Sequence, residues 1–442
     1  MLLRSDPRRL AAVVIALIFT ILAPARAKDT GVITLTLEEP KQSQSVVQPA
    51  EPPQGARMSA QPDVKAASAV LMDAVTGQII YSKNAHVRRP NASTTKIMTA
   101  ILLIEHCKME DKVKAGKRAC ETQFTSIHLK PGEQITVKDL LMGMMVRSAN
   151  DAAVAAAEHI AGTTAKFAKL MNKKAREIGC ANTNFVTPNG LYDKNHYSTV
   201  YDLCLMARYA FQYPAFNEAV GTRKHTLESR TLNREDLVLF NKSKFLKDYP
   251  GADGVKSGYI KEAGYCFVGS ATRDGWRLVS AVLKSDNASR DTAAIMDYGF
   301  NNFTLITVAP ANMSCAEAEV TGGATDRVSV APAVDLKVVV PKSGADVTTR
   351  TELRAVEAPV AKGAKLGTIV AMVDGADVAR VDLKAVEQVD ISLARKMNPW
   401  LKTGFVGVCL LVGGRYGAAL TKNSRRRRRG IKAPLRDVDR YR

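Results

Sequence analysis

The sequence lacks the residue spacings that usually bind metal ions. None of its seven cysteines forms a C-x-x-C pair, and its six histidines show no H-E-x-x-H or H-x-x-x-H arrangement. These absences disfavour a zinc enzyme, and we expect neither a metal ion nor another cofactor. The scattered cysteines also offer no disulfide framework, so mostly buried thiols with at most one bridge are expected.

Acidic residues are too few to balance the basic ones, and the basic excess is concentrated at one end. The chain has 63 Lys and Arg against 43 Asp and Glu, and residues 396–442 hold thirteen of the former against two Asp. A basic tail, unlike a basic folded face, does not indicate a nucleic-acid partner. The body is 46% hydrophobic and 24% charged, which is typical of soluble globular domains, and the length predicts two or three of them.

Neither end of the chain has an uninterrupted apolar run of the roughly 20 residues that a membrane-spanning helix needs. Near the N-terminus, three arginines, an apolar stretch at 10–22 and the small-x-small triplet Ala25-Arg26-Ala27 follow one another. This order predicts a cleavable signal peptide over residues 1–27 and export to the periplasm. Residues 28–62 are rich in Pro, Gln and Ser and predict a flexible linker.

The C-terminal segment, residues 396–442, predicts attachment to the inner membrane. Trp400 to Leu420 is mostly apolar but is interrupted by Lys402 and Arg415, and an unbroken run of arginines follows at 425–429. One interpretation is a short spanning helix whose basic ends reach the headgroups. The other is a helix that lies in the membrane plane with its arginines on anionic lipids.

Strand-favouring runs stand at both ends of the central region, and helical patterns lie between them. Strands are predicted at 68–73, 78–82, 254–260, 265–272 and 276–284, and helices at 95–107, 137–145, 151–160 and 166–178. This order predicts an α+β domain over 63–305, in which an antiparallel sheet packs against a helical cluster. Short alternating strands after residue 321 predict a separate small all-β domain over 318–392.

Ser93-Thr94-Thr95-Lys96 stands where the predicted buried helix begins. Residues at i and i+3 share a helical face, so the serine hydroxyl and the lysine amine can reach each other. A lysine among apolar residues has its ammonium form disfavoured by desolvation, which leaves a neutral amine able to take the hydroxyl proton. The pattern S-x-x-K alone is weak evidence, because a serine cap followed by a surface lysine gives the same letters.

Two further elements strengthen the hypothesis of a nucleophilic serine. Ser148-Ala149-Asn150 falls in the break between two predicted helices, where side chains can project into a cleft. Lys256-Ser257-Gly258 lies on a predicted strand, where a lysine and a hydroxyl can hold a carboxylate. A glycine there lets the backbone of a substrate approach closely.

In this order the three elements resemble the S-x-x-K, S-x-N and K-T/S-G motifs of the penicillin-recognising serine enzymes. More narrowly, the chain is similar to the low-molecular-weight D-alanyl-D-alanine carboxypeptidases over about 66–300, and the β domain matches that family's second domain. The resemblance implies a β-lactamase/transpeptidase-like fold for the first domain. The one departure is Ser257, where the family more often has threonine.

The resemblance implies a reaction and assigns roles within it. Ser93 would attack the penultimate D-alanine carbonyl of a peptidoglycan muropeptide, releasing D-alanine, and Lys96 would be the general base. Ser148 and Asn150 would shuttle the proton and orient the acyl chain. The same serine would be acylated by β-lactam inhibitors.

The third motif would bind the substrate. Lys256 and Ser257 would hold the terminal carboxylate, and Gly258 and Tyr259 would pair with the substrate backbone at a strand edge. The backbone N–H groups of Ser93 and Tyr259 would form the oxyanion hole. A role for Arg290 near the carboxylate is weaker than its interpretation as a solvated surface charge.

Other functions remain to be weighed against this one. A class A β-lactamase is disfavoured because the chain lacks the E-x-x-L-N glutamate, and Ser285-Asp286-Asn287 follows the third motif instead of preceding it. A muropeptide endopeptidase or transpeptidase differs only in the substrate or acceptor and stays open. A non-catalytic wall-binding protein would have no chemical reason to keep every motif residue.

Overall fold

The computed structural model describes residues 61–233, 235, 237–396 and 415. The predicted signal peptide, the predicted linker apart from residues 61 and 62, and nearly all of the predicted anchor segment at 396–442 lie outside these residues. Within the described residues, no helix is long and apolar enough to cross a bilayer.

The helices of the described chain alternate with strands in the first half and give way to strands in the second. The helices are α1 (Lys96–His106), α2 (Lys117–Cys120), α3 (Val137–Val146), α4 (Asn150–Ala161), α5 (Thr164–Ile178), α6 (Val200–Ala210), α7 (Pro214–Gly221), α8 (Lys244–Asp248), α9 (Ala288–Asn302) and α10 (Leu393–Lys396). The strands are β1 (Ser68–Asp73), β2 (Ile79–Lys83), β3 (Lys112–Lys114), β4 (Gln134–Thr136), β5 (Lys224–Thr226), β6 (Val238–Phe240), β7 (Ala252–Ile260), β8 (Gly264–Arg273), β9 (Trp276–Ser285), β10 (Phe303–Ala309), β11 (Ala316–Thr321), β12 (Arg327–Pro332), β13 (Leu336–Pro341), β14 (Val347–Leu353), β15 (Val356–Glu357), β16 (Lys365–Val373) and β17 (Ala376–Ala385).

A five-stranded antiparallel sheet with the order β2-β1-β9-β8-β7 forms the centre of the first domain. Successive side chains of a strand point to opposite faces, and both faces of β1 are buried. Val70 and Met72 pack with the helical cluster, whereas Ala69 and Leu71 pack with α9. The predicted α+β architecture, with an antiparallel sheet against a helical cluster, is confirmed.

Local sequence signals explain where the central helices begin and end. The Thr136 hydroxyl accepts a hydrogen bond from the backbone of Asp139, which caps α3 as predicted. Helix α4 ends at Gly162, whose left-handed φ of 75° closes the last turn. Helices α6, α7 and α9 were not predicted, although α6 and α9 pack on opposite faces of the sheet and complete its two cores.

The second domain consists of strands. Strands β10 and β13 pair antiparallel, and β14-β16-β17-β12-β11-β15 form a six-stranded sheet. Their inward side chains build a separate apolar core around Val330, Leu336 and Ile369. The strands predicted after residue 321 fall on β12, β13, β16 and β17, and the small all-β domain is confirmed.

The described cysteines all carry free thiols. Cys180, Cys204 and Cys266 are buried, Cys107 and Cys120 are partly buried, and Cys315 is exposed. Cys409 lies outside the described residues.

Candidate active site

Ser93 lies in a short 3-10 turn, Ala92–Thr95, that leads directly into α1. The turn starts from a left-handed residue, because Ala92 has a φ of 47°. Helix α1 is apolar on nearly every side, so it is buried through the centre of the helical cluster. Its first residue, Lys96, is therefore also fully buried.

The Lys96 amine has three close oxygen partners. Its Nζ atom lies 2.9 Å from Ser93 Oγ, 2.8 Å from Asn150 Oδ1 and 2.8 Å from the Asn189 carbonyl oxygen. Burial lowers the pKa of Lys96 well below its ordinary value, and the nearby Lys256 charge lowers it further. A neutral amine has two N–H donors for the asparagine oxygens and one lone pair for the Ser93 hydroxyl. This geometry suits proton transfer from Ser93 to Lys96.

The loop between α3 and α4 brings the second motif to the same place. Ser148 takes a left-handed conformation with a φ of 66° and lines the cleft in front of Ser93. Asn150 begins α4 and is buried. Its Nδ2 donates to the Gln123 carbonyl at 2.9 Å, a contact that the sequence did not indicate. Asn150 thus joins Lys96 to the neighbouring loop and keeps at most one N–H for a substrate carbonyl.

The third motif lies on β7, which is the edge strand of the central sheet. Lys256 is buried, its Nζ donates to the Ser257 carbonyl at 3.0 Å, and burial lowers its pKa to about 7. Gly258 approaches the turn that holds Ser93, and Tyr259 is exposed beside it. An exposed edge leaves backbone N–H and C=O groups of β7 available to an extended ligand.

One cleft of about 830 Å³ joins these elements. Ser93, Ser148 and all of 256–259 line it, while Lys96 and Asn150 lie directly beneath Ser93. Three basic side chains, Arg147, Lys242 and Lys244, also line it together with one acidic side chain, Asp286, so its rim carries a net positive charge. The structure therefore brings together all eight residues singled out in the sequence.

Arg290 does not join them. Its side chain is exposed, its backbone N–H donates to Oδ1 of Asn287, the cap of α9, and it is absent from the residues of the described chain that line the cleft.

The competing motif matches have structural roles. Ser285 donates to Asp291 at 2.7 Å, and Asn287 caps α9. Lys342-Ser343-Gly344 and Lys402-Thr403-Gly404 also fit the pattern of the third motif. In the second domain, Lys342 donates to the Phe300 carbonyl at 2.8 Å. Lys402 lies outside the described residues.

Sequence reasoning missed several residues that build the site. The Asn189 contact to Lys96 uses a backbone carbonyl, so no side-chain pattern reveals it. The buried Asp151 carboxylate accepts from Ser126 Oγ and from the backbone of Ile127 and Leu129, which fixes the loop along the cleft. The role of Asp151 could have been suspected from its position directly after the S-x-N motif.

A serine activated by a buried lysine, opposite an edge strand that carries a second lysine, defines a peptidase of the penicillin-recognising class. The family model for D-alanyl-D-alanine carboxypeptidase matches residues 55–287, and the model for the C-terminal domain of penicillin-binding protein 5 matches residues 303–390. The chain belongs to the D-alanyl-D-alanine carboxypeptidase family.

Relatives and solved structures agree with this assignment. The D-alanyl-D-alanine carboxypeptidase DacF of Bacillus subtilis is 35% identical over 76% of this chain and 90% of its own. The crystal structure of penicillin-binding protein 5 from Haemophilus influenzae is 30% identical with a TM-score of 0.67, covering 75% of this chain and 99% of its own. A Streptomyces DD-transpeptidase structure is 32% identical with a TM-score of 0.51, covering 55% of this chain and all of its own.

Proposed function

We propose that the protein is a serine-type D-alanyl-D-alanine carboxypeptidase that removes the terminal D-alanine from peptidoglycan muropeptides. The observation that carries the proposal is the buried Lys96 amine, 2.9 Å from Ser93 Oγ, in a cleft whose opposite wall holds Lys256. The match to the D-alanyl-D-alanine carboxypeptidase family supports the same reaction, acyl transfer to Ser93.

In the acylation step Ser93 Oγ attacks the carbonyl carbon of the penultimate D-alanine. The hydroxyl proton passes to the Lys96 amine as the new C–O bond forms. Negative charge develops on the carbonyl oxygen, and the backbone N–H groups of Ser93 and Tyr259 are the donors assigned to it. The amide C–N bond then breaks, and the proton returns through Lys96 and Ser148 to the departing amine of D-alanine.

Water completes the cycle. Its oxygen bonds to the carbonyl carbon of the Ser93 ester while one of its protons goes to Lys96. The ester C–O bond then breaks, and Ser93 Oγ regains a proton from Lys96. The products are the shortened muropeptide and the free enzyme.

Two parts of the cleft bind the substrate. Lys256 and the Ser257 hydroxyl hold the terminal carboxylate, and the β7 edge pairs with the peptide backbone. The positive rim formed by Arg147, Lys242 and Lys244 favours a peptide that carries additional carboxylates.

A labelled penicillin tests the nucleophile. One covalent adduct per chain is expected on the tryptic peptide containing Ser93, identified by mass spectrometry, and Ser93→Ala should carry none. Release of D-alanine from a muropeptide pentapeptide, measured on the same preparation, tests the carboxypeptidase reaction. Rapid hydrolysis of the penicillin without D-alanine release would instead identify a β-lactamase.

Transfer to an amine is the second candidate function, favoured by the similarity to the Streptomyces DD-transpeptidase. The acyl-enzyme would be the same, and an amino group would replace water as the acceptor. Adding a second muropeptide with a free amine to the pentapeptide assay separates transpeptidation from hydrolysis. A cross-linked product in place of the hydrolysed tetrapeptide would assign the chain to transpeptidation. In a separate assay, cleavage of a muropeptide that is already cross-linked would assign the chain to the endopeptidases.

We also propose that the protein is exported and held at the inner membrane by residues 396–442. The support is the signal-like order of residues 1–27 and the apolar, arginine-flanked stretch near the C-terminus. Deleting residues 396–442 should move the protein from the membrane fraction to the soluble periplasmic fraction. A truncated protein that stays with the membrane would contradict this anchor.

A further inference from the structure

A buried histidine connects the turn that holds Ser93 to a turn from elsewhere in the chain. The ring of His196 is 4% exposed, and its Nε2 lies 2.8 Å from Thr95 Oγ1. Its Nδ1 accepts hydrogen bonds from the backbone N–H groups of Val186 and Thr187, at 3.1 and 3.2 Å. None of these contacts involves an atom that reacts in the proposed mechanism.

The partners of His196 fix its protonation state and tautomer. Because Nδ1 accepts two backbone hydrogen bonds, it carries no proton, and the ring proton must reside on Nε2. The Nε2–H then donates to Thr95 Oγ1, whose own hydroxyl proton is used toward the Ala92 carbonyl at 2.8 Å. A neutral ring in one tautomer therefore satisfies the hydrogen bonds to Val186 N–H, Thr187 N–H and Thr95, in line with a pKa that burial lowers to about 4.

The turn held by Nδ1 carries an oxygen that contacts the general base. Within residues 186–190, the Thr187 hydroxyl accepts from Gly190 N–H at 3.2 Å, and the Asn189 carbonyl accepts from Lys96 Nζ at 2.8 Å. Gly190 lies so close to the serine turn that a Cβ on it would be 1.9 Å from the Ala92 carbonyl oxygen. The two turns are thus in direct contact, and His196 bonds to both.

We infer that His196 is a positioning residue for Lys96. Through Nδ1 it orders the turn that presents the Asn189 carbonyl, and through Nε2 it fixes Thr95, the residue before Lys96. Lys96 Nζ is thereby held within hydrogen-bond distance of Ser93 Oγ and of its two asparagine oxygens. This inference rests on the proposed function, because it assigns His196 a part in acylation at Ser93.

Three variants of His196 separate the Nε2 contact to Thr95 from the Nδ1 contacts to the backbone of Val186 and Thr187. His196→Ala removes both sets of contacts. His196→Asn places an amide oxygen where Nδ1 stands, so it keeps the acceptor for Val186 and Thr187 but not the contact to Thr95. His196→Gln places an amide N–H near the position of Nε2, so it keeps the donor to Thr95 but loses the acceptor.

The measurement is the acylation rate constant at saturating penicillin, obtained together with the dissociation constant of the non-covalent complex. His196→Ala should lower the rate constant about tenfold to a hundredfold, since small displacements of a catalytic group have effects of this size. The dissociation constant should change less than about twofold, because the Lys256 side of the cleft is not altered. His196→Asn and His196→Gln should each lose part of the rate.

A second substitution tests the bridge itself. Thr95→Val removes the hydroxyl that Nε2 contacts while keeping the side-chain shape. If both residues act through one contact, Thr95→Val should cost little further rate in the His196→Asn background, which already lacks that contact, and the two losses should not multiply there.

The matched control is His225→Asn. His225 is partly buried and its Nε2 bonds to Asp139 at 2.8 Å, instead of to either of the two turns that His196 joins. Its variant should melt at a lower temperature and acylate at the wild-type rate. Wild-type acylation rates in the folded His196 variants, or losses from His196→Asn and Thr95→Val that multiply, would overturn the inference. Failure of the wild-type protein to form the Ser93 adduct in the same assay would instead overturn the proposed function.

Discussion

Gly258 on β7 packs against the turn of the nucleophile so closely that a Cβ on it would lie 2.7 Å from the Ser93 backbone nitrogen. Two segments separated by more than 160 positions in the sequence are therefore in backbone contact. Gly258 directly precedes Tyr259, so the contact brings the end of the third motif against Ser93, and these are the two segments whose backbone N–H groups are assigned to the oxyanion. It also explains in steric terms why the third motif ends in glycine.

We expect Gly258→Ala to disable acylation. The new methyl group would also approach Ala92 Cβ at 3.0 Å and Thr94 N at 3.2 Å, so the turn must shift away from β7. Displacement of one oxyanion donor costs about a hundredfold to a thousandfold in rate. The measurement is the rate of penicillin labelling at Ser93. Gly221→Ala is the control, since a Cβ there meets only Asp253 O at 3.5 Å and should leave labelling unchanged. Equal labelling by both variants would contradict the contact.

Lys256 should give kcat/KM a descending limb at alkaline pH. Its pKa in the free enzyme is lowered to about 7 by burial. Because only the ammonium form attracts a substrate carboxylate, kcat/KM for D-alanine release should fall as the pH rises through this value. A profile that stays flat from pH 6 to 9 would show that Lys256 is not titrating there. Lys256→Met should lose the limb together with most of the activity.

The same lysine should make the stability of the protein depend on pH. In the unfolded chain its pKa returns to 10.5, so between about 7 and 10.5 the unfolded state binds more protons than the folded state. The free energy of unfolding contributed by this group must therefore rise with pH across that window. Lys256→Met removes this contribution, and its stability at pH 7 should exceed that of the wild type. Urea unfolding of both proteins at pH 7 and pH 10 measures the difference, and an equal gain at both values would contradict the assignment.

Gln78 should link the stability of the two domains. Its Nε2 donates to the Val339 carbonyl at 2.9 Å, and its Oε1 accepts from the Val339 N–H at 2.9 Å, with the side chain largely buried. Gln78→Glu replaces the donor with a second acceptor facing the carbonyl. We expect a loss of about 1–3 kcal/mol in the free energy of unfolding at pH 7. The loss should be smaller at pH 4–5, where a protonated glutamate can donate.

Urea unfolding at the two pH values checks this expectation, with Gln78→Met as the variant that keeps the length of the side chain but has no pH-dependent group. A loss for Gln78→Glu that does not depend on pH would show that the carboxylate reaches water instead of facing Val339.

Much of the local structure was predictable because the responsible signals are local. β1 matches its predicted bounds, 68–73, since its strand-favouring residues run the length of the element. Helix α1 was predicted from its apolar composition, and Thr136 and Gly162 marked their helix ends through capping and a left-handed turn. The three motifs were recognisable because each combines side chains whose chemistry is meaningful at short spacing.

The sequence by itself determined which side chains carry the chemistry and which elements hold them: Ser93 and Lys96 one helical turn apart, and Lys256 on a strand. Tertiary structure alone decided that the Asn189 carbonyl meets Lys96, that His196 joins two turns, and that Gly258 touches Ser93. The physical reason is that these contacts involve backbone atoms or residues far apart in the chain. Such atoms are the same in every residue, so their positions follow only from the way the folded segments pack together.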